Sequence, residues 1–365
     1  MKQKNVDLGS GSVGKLLFSL SLPTIASQIV NMLYNLVDRV YIGHMEPVDT
    51  VGKLALTGVG VCLPVIMVIS AFAALLAMGG APRASIHEGR GNPREAERIM
   101  GNSFTLLLVA SLVLTLVFQL FAEPLLLTFG ASPNTIGYAL SYMRIYSMGT
   151  LFVQMTLGMN AYITAQGFTT VSMKTVLIGA GLNTVLDPIF IFTLGMGVRG
   201  AALATIISQA VSAVWVLRFL TSSRTRWRLR KEHLRPVPAV FLPCLALGLA
   251  PFIMQSTESL IAVCFNSSLL KYGGDLAVGA MTILQAETAP TNWSGEVTWK
   301  SSKPKIAKVK NGVVTALKPG KCKITAQAGN VKAVCTVTCT EKSLGTEWRE
   351  WWQDITEGGS HDSDH

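Results

Sequence analysis

The feature that most limits the possible folds of this chain is a series of long apolar runs. Seven of them are long enough to cross a bilayer as helices, which takes about 20 residues each. They are residues 16–40, 54–78, 103–122, 136–164, 172–194, 201–220 and 239–266. Only 14% of the residues are charged, whereas soluble domains carry about a quarter. We therefore predict an all-α bundle that crosses the membrane several times.

An eighth apolar run begins at Leu276 and ends before Glu287. It supplies only about ten apolar residues, which is too short for a spanning helix. Beyond it the chain becomes rich in Lys and Ser and is patterned like a soluble sheet. We therefore expect a membrane region over residues 1–285, a small β domain over 286–340 and an acidic, disordered tail over 341–365.

The positive charges indicate how the chain is oriented in the membrane. Lys and Arg concentrate in alternate loops, at residues 83–98 and 218–235, while the loops between them are poor in basic residues. Because basic loops stay in the cytoplasm, we expect a cytoplasmic N-terminus and an extracytoplasmic β domain at the plasma membrane. The net charge of +10 is then a topology signal, and no nucleic acid partner is expected.

Weak internal repetition points to a transporter. The first run aligns with the seventh, so that Pro23 falls on Pro251 and Asp38 falls on Asn266. A Gly-x-Leu-Ala pattern also recurs at residues 52–55 and 274–277 in the neighbouring segments. Many transporters consist of two such repeats with the substrate site between them. We therefore predict a first lobe over residues 10–222 and a partial second lobe over 239–285.

Three segments carry a resemblance to a known family: "LPTIASQIVNMLYNLVDRVYIG", "GLNTVLDPIFIFTLGMGVRGAALATIISQ" and "APFIMQSTESLIAV". They resemble the multidrug and toxic compound extrusion (MATE) family over residues 10–285. The resemblance implies a six-helix first lobe and about one and a half helices of a second lobe. It also implies multidrug efflux by antiport with H⁺ or Na⁺, of small cationic or aromatic substrates, and we expect the incomplete second lobe to impair transport.

Two carboxylates, Asp38 and Asp187, lie within apolar runs of the first lobe. A charge at mid-membrane costs at least about 2.5–3.5 kcal/mol, so such groups face a cavity, pair, or hold a proton or cation. Asn183 and Asp187 are four residues apart and share a helix face. By resemblance, these three residues form the proton or cation site, with hydroxyl groups from Tyr142 and Thr205. The alternative is that the carboxylates only cap or pair inside the bundle.

A third carboxylate, Glu258, lies in the seventh run. By resemblance it corresponds to the carboxylate of the second lobe and takes part in ion coupling. The alternative is an orphan carboxyl group that stays protonated because it is buried without a partner.

Amides and methionines within the runs are weaker candidates for the lining of a substrate cavity. Amides on helix faces often bridge helices instead, and Met is a common packing residue that also suits promiscuous pockets. The candidates are Gln154, Asn160, Gln166, Gln209, Met32 and Met155. No Cys/His spacing or triad pattern indicates a metal site or an enzyme, so we expect no cofactor apart from the coupling ion.

Residues 286–340 show short β-rich runs separated by turn residues. Asn311-Gly312 is a strong hairpin signal, Pro319-Gly320 marks another turn, and "CKITAQA" alternates as a half-buried strand does. The segment resembles part of the bacterial immunoglobulin-like group-two domain. The matching positions are Trp299, Val309, Gly312, Ala316, Gly320 and Ile324.

Three cysteines and several lysines give this β domain its remaining chemistry. Cys322 and Cys335 either form a disulfide, which leaves Cys339 odd, or are free thiols. The surplus Lys residues either form a solvated face or bind anionic cell-wall or surface polymers.

Three alternatives to efflux remain for the chain. It is a membrane-anchored Ig-like module, a non-functional chimera, or a lipid or oligosaccharide flippase of the same superfamily. A flippase would have a more cationic cavity.

Overall fold

The computed structural model describes residues 13–287, 298–310, 313–316, 318, 320–328 and 331–339. The chain divides into two compact units, Met1–Pro290 and Thr291–His365. The described part of the first unit is helical, and that of the second is a small β structure. The predicted fold class, a membrane bundle followed by a small all-β region, is confirmed. The tail predicted at 341–365 lies outside the described residues.

Ten α-helices make up the described part of the first unit. They are α1 (Val13–Gly43), α2 (Lys53–Val61), α3 (Leu63–Gly89), α4 (Pro93–Leu120), α5 (Ala122–Thr128), α6 (Ile136–Met148), α7 (Thr150–Ala165), α8 (Thr169–Pro188), α9 (Val198–Thr221) and α10 (Pro238–Glu287). Short π-helical turns lie at Val48–Gly52 and Ile189–Thr193, and a 3₁₀ turn lies at Lys231–His233.

Five helical stretches in the described residues are long and apolar enough to cross a membrane by themselves. They are Thr50–Gly89, Pro93–Leu120, Thr169–Thr193, Val198–Thr221 and Pro238–Asp275. Of the seven predicted spans, the first corresponds to α1, a helix of 31 residues. The fourth is divided at Gly149 into α6 and α7, and Gly149 packs against Ile206 of α9. The protein is therefore a multi-pass membrane protein.

The helices pack around two buried apolar clusters. Helix α3 contacts α4, α7 and α10, while α8 lies between α1 and α9, and α9 also contacts α6 and α7. The outward faces of α1, α4 and α10 carry exposed Leu, Ile and Val side chains, as expected for surfaces in contact with lipid. This arrangement brings α1, α6, α8 and α9 together, which positions the candidate site.

Glycine allows a close crossing of α3 and α10. Gly79 of α3 lies against the carbonyl group of Cys244, and Gly248 of α10 lies against that of Leu75. A β-carbon at either position would overlap these backbone atoms, so the crossing requires glycine, as is common between membrane helices. At Gly274 the backbone of α10 becomes non-helical, with φ = +66°, a conformation that favours glycine.

The second unit contains two antiparallel sheets. Strands β1 (Thr298–Ser301), β4 (Gly320–Ala328) and β5 (Val331–Cys339) form one in the order β1-β4-β5, and β2 (Ala307–Lys310) pairs with β3 (Val313–Ala316). Lys310 lies opposite Val313, which is the pairing expected for a two-residue hairpin. Asn311, Gly312 and Pro319, on which the turn predictions fell, lie outside the described residues.

The strand register bears on the predicted disulfide. Cys322 lies opposite Val337, and Cys335 lies opposite Ile324. Cys322 is a buried free thiol. Of the two alternatives, the free thiol is therefore the one found at Cys322, because the register places an apolar residue directly across from it.

Candidate ion-coupling site

Four helices each contribute to a polar cluster inside the first unit. Asp38 comes from α1, Tyr142 from α6, Asn183 and Asp187 from α8, and Thr205 from α9. Asp187 is completely buried, and Asn183 and Tyr142 are 2% and 3% exposed. The structure thus places all five predicted first-lobe residues on helices that pack against one another.

Asn183 is the organising side chain of this cluster. Its Nδ2 donates to Asp187 Oδ1 at 3.0 Å and lies 3.4 Å from Thr205 Oγ1. Thr205 Oγ1 donates its own proton to the carbonyl oxygen of Ala201 at 3.0 Å, so its lone pairs face Asn183. The contact with Asn183 fixes Oδ1 of Asp187 and leaves Oδ2 available for a different partner.

The Asp38 and Asp187 carboxyl groups face each other and interact directly. Asp38 Oδ1, Asp187 Oδ2 and Asn183 Oδ1 are buried atoms with no hydrogen-bond partner among the described residues. Carboxylate oxygens only accept hydrogen bonds, and buried acceptors that lack a partner are costly. A shared proton or a bound cation would supply what these oxygens lack, and an oxygen-rich donor set suits a hard cation such as Na⁺.

Arg39, which was not among the residues predicted for the site, lies at its edge. Its guanidinium group is within electrostatic reach of Asp38, Tyr142 and Tyr34. The ring of Tyr142 also stacks on Tyr146, with centroids 5.7 Å apart. The signal for Arg39 in the sequence is a basic residue inside an apolar run. The site therefore combines two carboxyl groups with one neighbouring positive charge.

A small cavity adjoins the site. It has a volume of about 50 Å³, enough for a few water molecules. The residues around it include several that bear amide or hydroxyl groups: Asn31, Tyr34, Asn183, Thr205, Ser208 and Gln209. Ser208 Oγ and Gln209 Oε1 are buried without a partner among the described residues, so the cavity has polar groups that can bind water or an ion.

The other candidate cavity residues are placed differently. Gln154 Nε2 donates to the carbonyl oxygen of Ile69 at 2.8 Å, and Asn160 Nδ2 donates to Ser172 Oγ at 2.9 Å. Both amides thus bridge helices. Met155 is 2% exposed within an apolar cluster. Met32 is partly buried on α1.

Glu258 lies on an exposed part of α10. It is not among the groups that interact with Asp38 or Asp187. The structure therefore brings together the predicted first-lobe residues without Glu258. Among the described residues, no group of three or more His, Cys, Asp or Glu side chains is placed to hold a metal ion.

Comparison with known proteins identifies the membrane region. Residues 23–189 match the MatE family model. The multidrug export protein MepA of Staphylococcus haemolyticus is 26% identical over 262 residues, which is 72% of this chain and 57% of that protein. The solved structure of the MATE multidrug transporter DinF-BH is 34% identical with a TM-score of 0.72, covering 78% of this chain and 63% of that one. The membrane region of this chain belongs to the MATE family.

The MATE region is also similar to a more distant structure. A MOP superfamily transporter from Pyrococcus furiosus, for which reverse polarity of the binding pocket suggests a different function, is 27% identical. Its TM-score is 0.67, with 78% of this chain and 66% of that chain covered. This chain spans little more than half the length of the curated MATE relatives that it matches. Residues 275–339 match the bacterial Ig-like domain (group 2).

Proposed function

We propose that the membrane region exports small cationic or aromatic compounds in exchange for H⁺ or Na⁺. The observation that supports this proposal is the pair Asp38 and Asp187, in which one oxygen of each carboxyl group, Asp38 Oδ1 and Asp187 Oδ2, is buried and lacks a hydrogen-bond donor among the described residues. Relatives named as multidrug export proteins support the substrate class. The chain acts as a transporter rather than an enzyme, with no cofactor beyond the coupling ion.

Competition for one negative charge explains the coupling. A proton or Na⁺ neutralises the Asp38–Asp187 pair, and a cationic drug is attracted only while the pair is ionised. The exchange is productive if ion and drug favour different conformations of the protein. Asn183 takes part because it fixes one Asp187 oxygen at 3.0 Å and leaves the other, which is buried and has no partner among the described residues, available to the ion.

We further propose that the basic loops face the cytoplasm and the Ig-like part lies outside the plasma membrane. Loops rich in Lys and Arg are retained on the cytoplasmic side. Labelling a cysteine introduced at Ser223 and one at Ser302 with a membrane-impermeant maleimide in intact cells tests this. Labelling at Ser302 but not at Ser223 is expected, and the reverse pattern would contradict the orientation.

Proton release on drug binding tests the coupling without requiring transport. Tetraphenylphosphonium is added to the purified full-length chain in weakly buffered detergent solution, with and without Na⁺, and the proton release is titrated. We expect release of about one proton per bound drug, or competition by Na⁺, because ligands that exclude each other are linked. Asp187→Asn and Asp38→Asn should abolish this linkage.

Glu123→Gln is the matched control, since Glu123 is an exposed carboxylate on α5. It should leave the linkage unchanged. The proposed coupling would be overturned if drug binding depended on the ion as strongly in Asp187→Asn as in the wild type. Ethidium efflux from a pump-deficient host measures transport separately. It also tests the prediction that the incomplete second lobe impairs transport. We expect this impairment because alternating access requires one repeat to move against another.

One observation favours flippase activity as a second candidate. Arg39 adds a positive charge beside Asp38, which suits a lipid or oligosaccharide with an anionic group. A flippase should bind an anionic lipid-linked sugar in competition with tetraphenylphosphonium and should keep that binding in Asp187→Asn. The antiporter should show neither property.

The Ig-like part supports a further role as a surface-binding module. Lys321 and Lys323 are exposed on β4, while Cys322 between them is buried, so both lysines lie on one face of the strand. We propose that this face binds anionic cell-wall or surface polymers. Proteoliposomes with the full-length chain should bind teichoic acid, and Lys321→Gln/Lys323→Gln should weaken binding. Equal binding by both forms would contradict the role.

A further inference from the structure

The loop between α9 and α10 has alternating exposed and buried residues. Arg224, Arg226, Arg228 and Arg230 are exposed, whereas Thr225 and Trp227 are buried and Leu229 is partly buried. We call residues 224–230 the arginine segment. An irregular loop with this alternation has one face bound to the protein and one face directed outward, so its four guanidinium groups share the outer face.

Hydrogen bonds hold the inner face of the arginine segment against the bundle. Gln166 Oε1 accepts from the backbone N–H groups of Arg226 at 2.8 Å and Trp227 at 3.1 Å. Glu97 Oε1 accepts from the N–H group of Arg228 at 3.0 Å. Trp227 is completely buried. The position of the outer face is therefore fixed by the protein and does not depend on a ligand.

Only part of the positive charge on this surface is neutralised within the protein. Arg226 lies 3.6 Å from Glu88, and Arg230 lies 3.2 Å from Glu97. Among the described residues, Arg224 and Arg228 form no ion pair. The same is true of the exposed side chains of Lys231 and Arg235 in the following turn. The surface thus holds several positive charges available to an outside partner.

The arginine segment lies where helices leave the membrane. It follows the end of α9 at Thr221 and precedes the start of α10 at Pro238, and both helices include spans that are long and apolar enough to cross a bilayer. The N–H group of Leu229 donates to the carbonyl oxygen of Leu220 at 2.9 Å, which keeps the segment close to the helix end. Lipid headgroups occupy this level of the membrane.

We propose that the arginine segment binds the headgroups of anionic phospholipids in the adjacent leaflet. Arg pairs with phosphate through charged hydrogen bonds, and basic groups beside membrane helices attract anionic lipids. Arg224 and Arg228 supply these contacts, while Arg226 and Arg230 hold the segment in place through Glu88 and Glu97. This binding is independent of drug and ion coupling at the buried carboxylates.

Lipid titration of the full-length chain tests the proposal. Native mass spectrometry of the detergent-purified protein counts bound phosphatidylglycerol and phosphatidylcholine at equal concentrations. We expect phosphatidylglycerol to bind more tightly. Arg224→Gln/Arg228→Gln should lower this affinity on the order of 10-fold or more, because each basic residue near the surface contributes separately.

Arg144→Gln/Arg199→Gln is the charge-matched control. Both arginines are exposed, and Arg199 lies at the opposite end of α9 from the arginine segment. The control should keep the wild-type preference. Arg224→Lys/Arg228→Lys, which keeps the charge, should retain most of the affinity even if the Gln variant proves difficult to purify.

Three outcomes would overturn the proposal. The first is equal binding of phosphatidylglycerol and phosphatidylcholine by the wild type, and the second is a preference that the Gln variant retains in full. The third is displacement of phosphatidylglycerol by inorganic phosphate at an equal concentration, which would make the surface a site for free phosphate instead.

Discussion

Replacement of Gln166 by Leu should release the arginine segment from the bundle. Gln166 is 1% exposed, and its Oε1 accepts from two backbone N–H groups and from the Thr225 hydroxyl group. The hydroxyl group has a second acceptor, the carbonyl oxygen of Trp227 at 2.7 Å. Gln166→Leu therefore leaves the N–H groups of Arg226 and Trp227 without their acceptor.

The expected size of the effect follows from these contacts. Each buried donor that loses its partner costs about 1–3 kcal/mol, which gives about 2–6 kcal/mol for two. Gln166 Nε2 has no partner among the described residues, so its removal returns about 1 kcal/mol. We expect the free energy of local opening to fall by about 3 kcal/mol, because a segment held by few contacts opens without global unfolding.

Limited trypsin digestion measures this opening, because the segment contains four arginines. If opening and closing are fast relative to cleavage, the cleavage rate follows the population of the open form. A decrease of about 3 kcal/mol then raises the rate on the order of 100-fold. Peptide mass mapping assigns the cuts to Arg226 and Arg228 and separates them from cuts elsewhere.

Gln119→Leu is the matched control. Gln119 Nε2 donates to the carbonyl oxygen of Arg144 at 2.7 Å and to Ser147 Oγ at 3.0 Å, so its loss removes a donor and leaves no N–H group without an acceptor. Cleavage in the arginine segment should change less than about threefold, in line with a small surface effect. Equal cleavage of Gln166→Leu and wild type would refute the anchoring role of Gln166.

Two further predictions concern Arg39 and the crossing of α3 with α10. Arg39→Met removes a positive charge beside Asp38 and should tighten tetraphenylphosphonium binding roughly 10-fold. In calorimetry, Arg39→Lys should behave like wild type, and weaker binding by Arg39→Met would contradict this prediction. Gly248→Val places a side chain against the carbonyl group of Leu75 and should destabilise the protein by about 1–3 kcal/mol, seen as a lower Tm. Gly89→Ala, where no atom lies close, should leave Tm nearly unchanged, and equal losses at both positions would argue against the close crossing.

Local patterns made much of the architecture predictable. Long apolar runs require helices in a membrane because backbone groups in lipid must bond internally, and the described helices cover these runs. The i, i+4 spacing of Asn183 and Asp187 placed both on one helix face, and their hydrogen bond at 3.0 Å is a local consequence. The alternation in "CKITAQA" likewise indicated β4, because strand periodicity is a local property.

The tertiary structure decided which distant groups meet. The contact of Asp38 with Asp187 depends on the packing of α1 against α8, and the proximity of Arg39 to Tyr142 depends on α6, so neither has a local signature. The sequence could not separate Gln166, which anchors a loop, from Gln209, which lines the cavity. Both are amides in apolar surroundings. Their roles differ only because of the partners that helix packing brings to them, and that packing is determined by the whole chain.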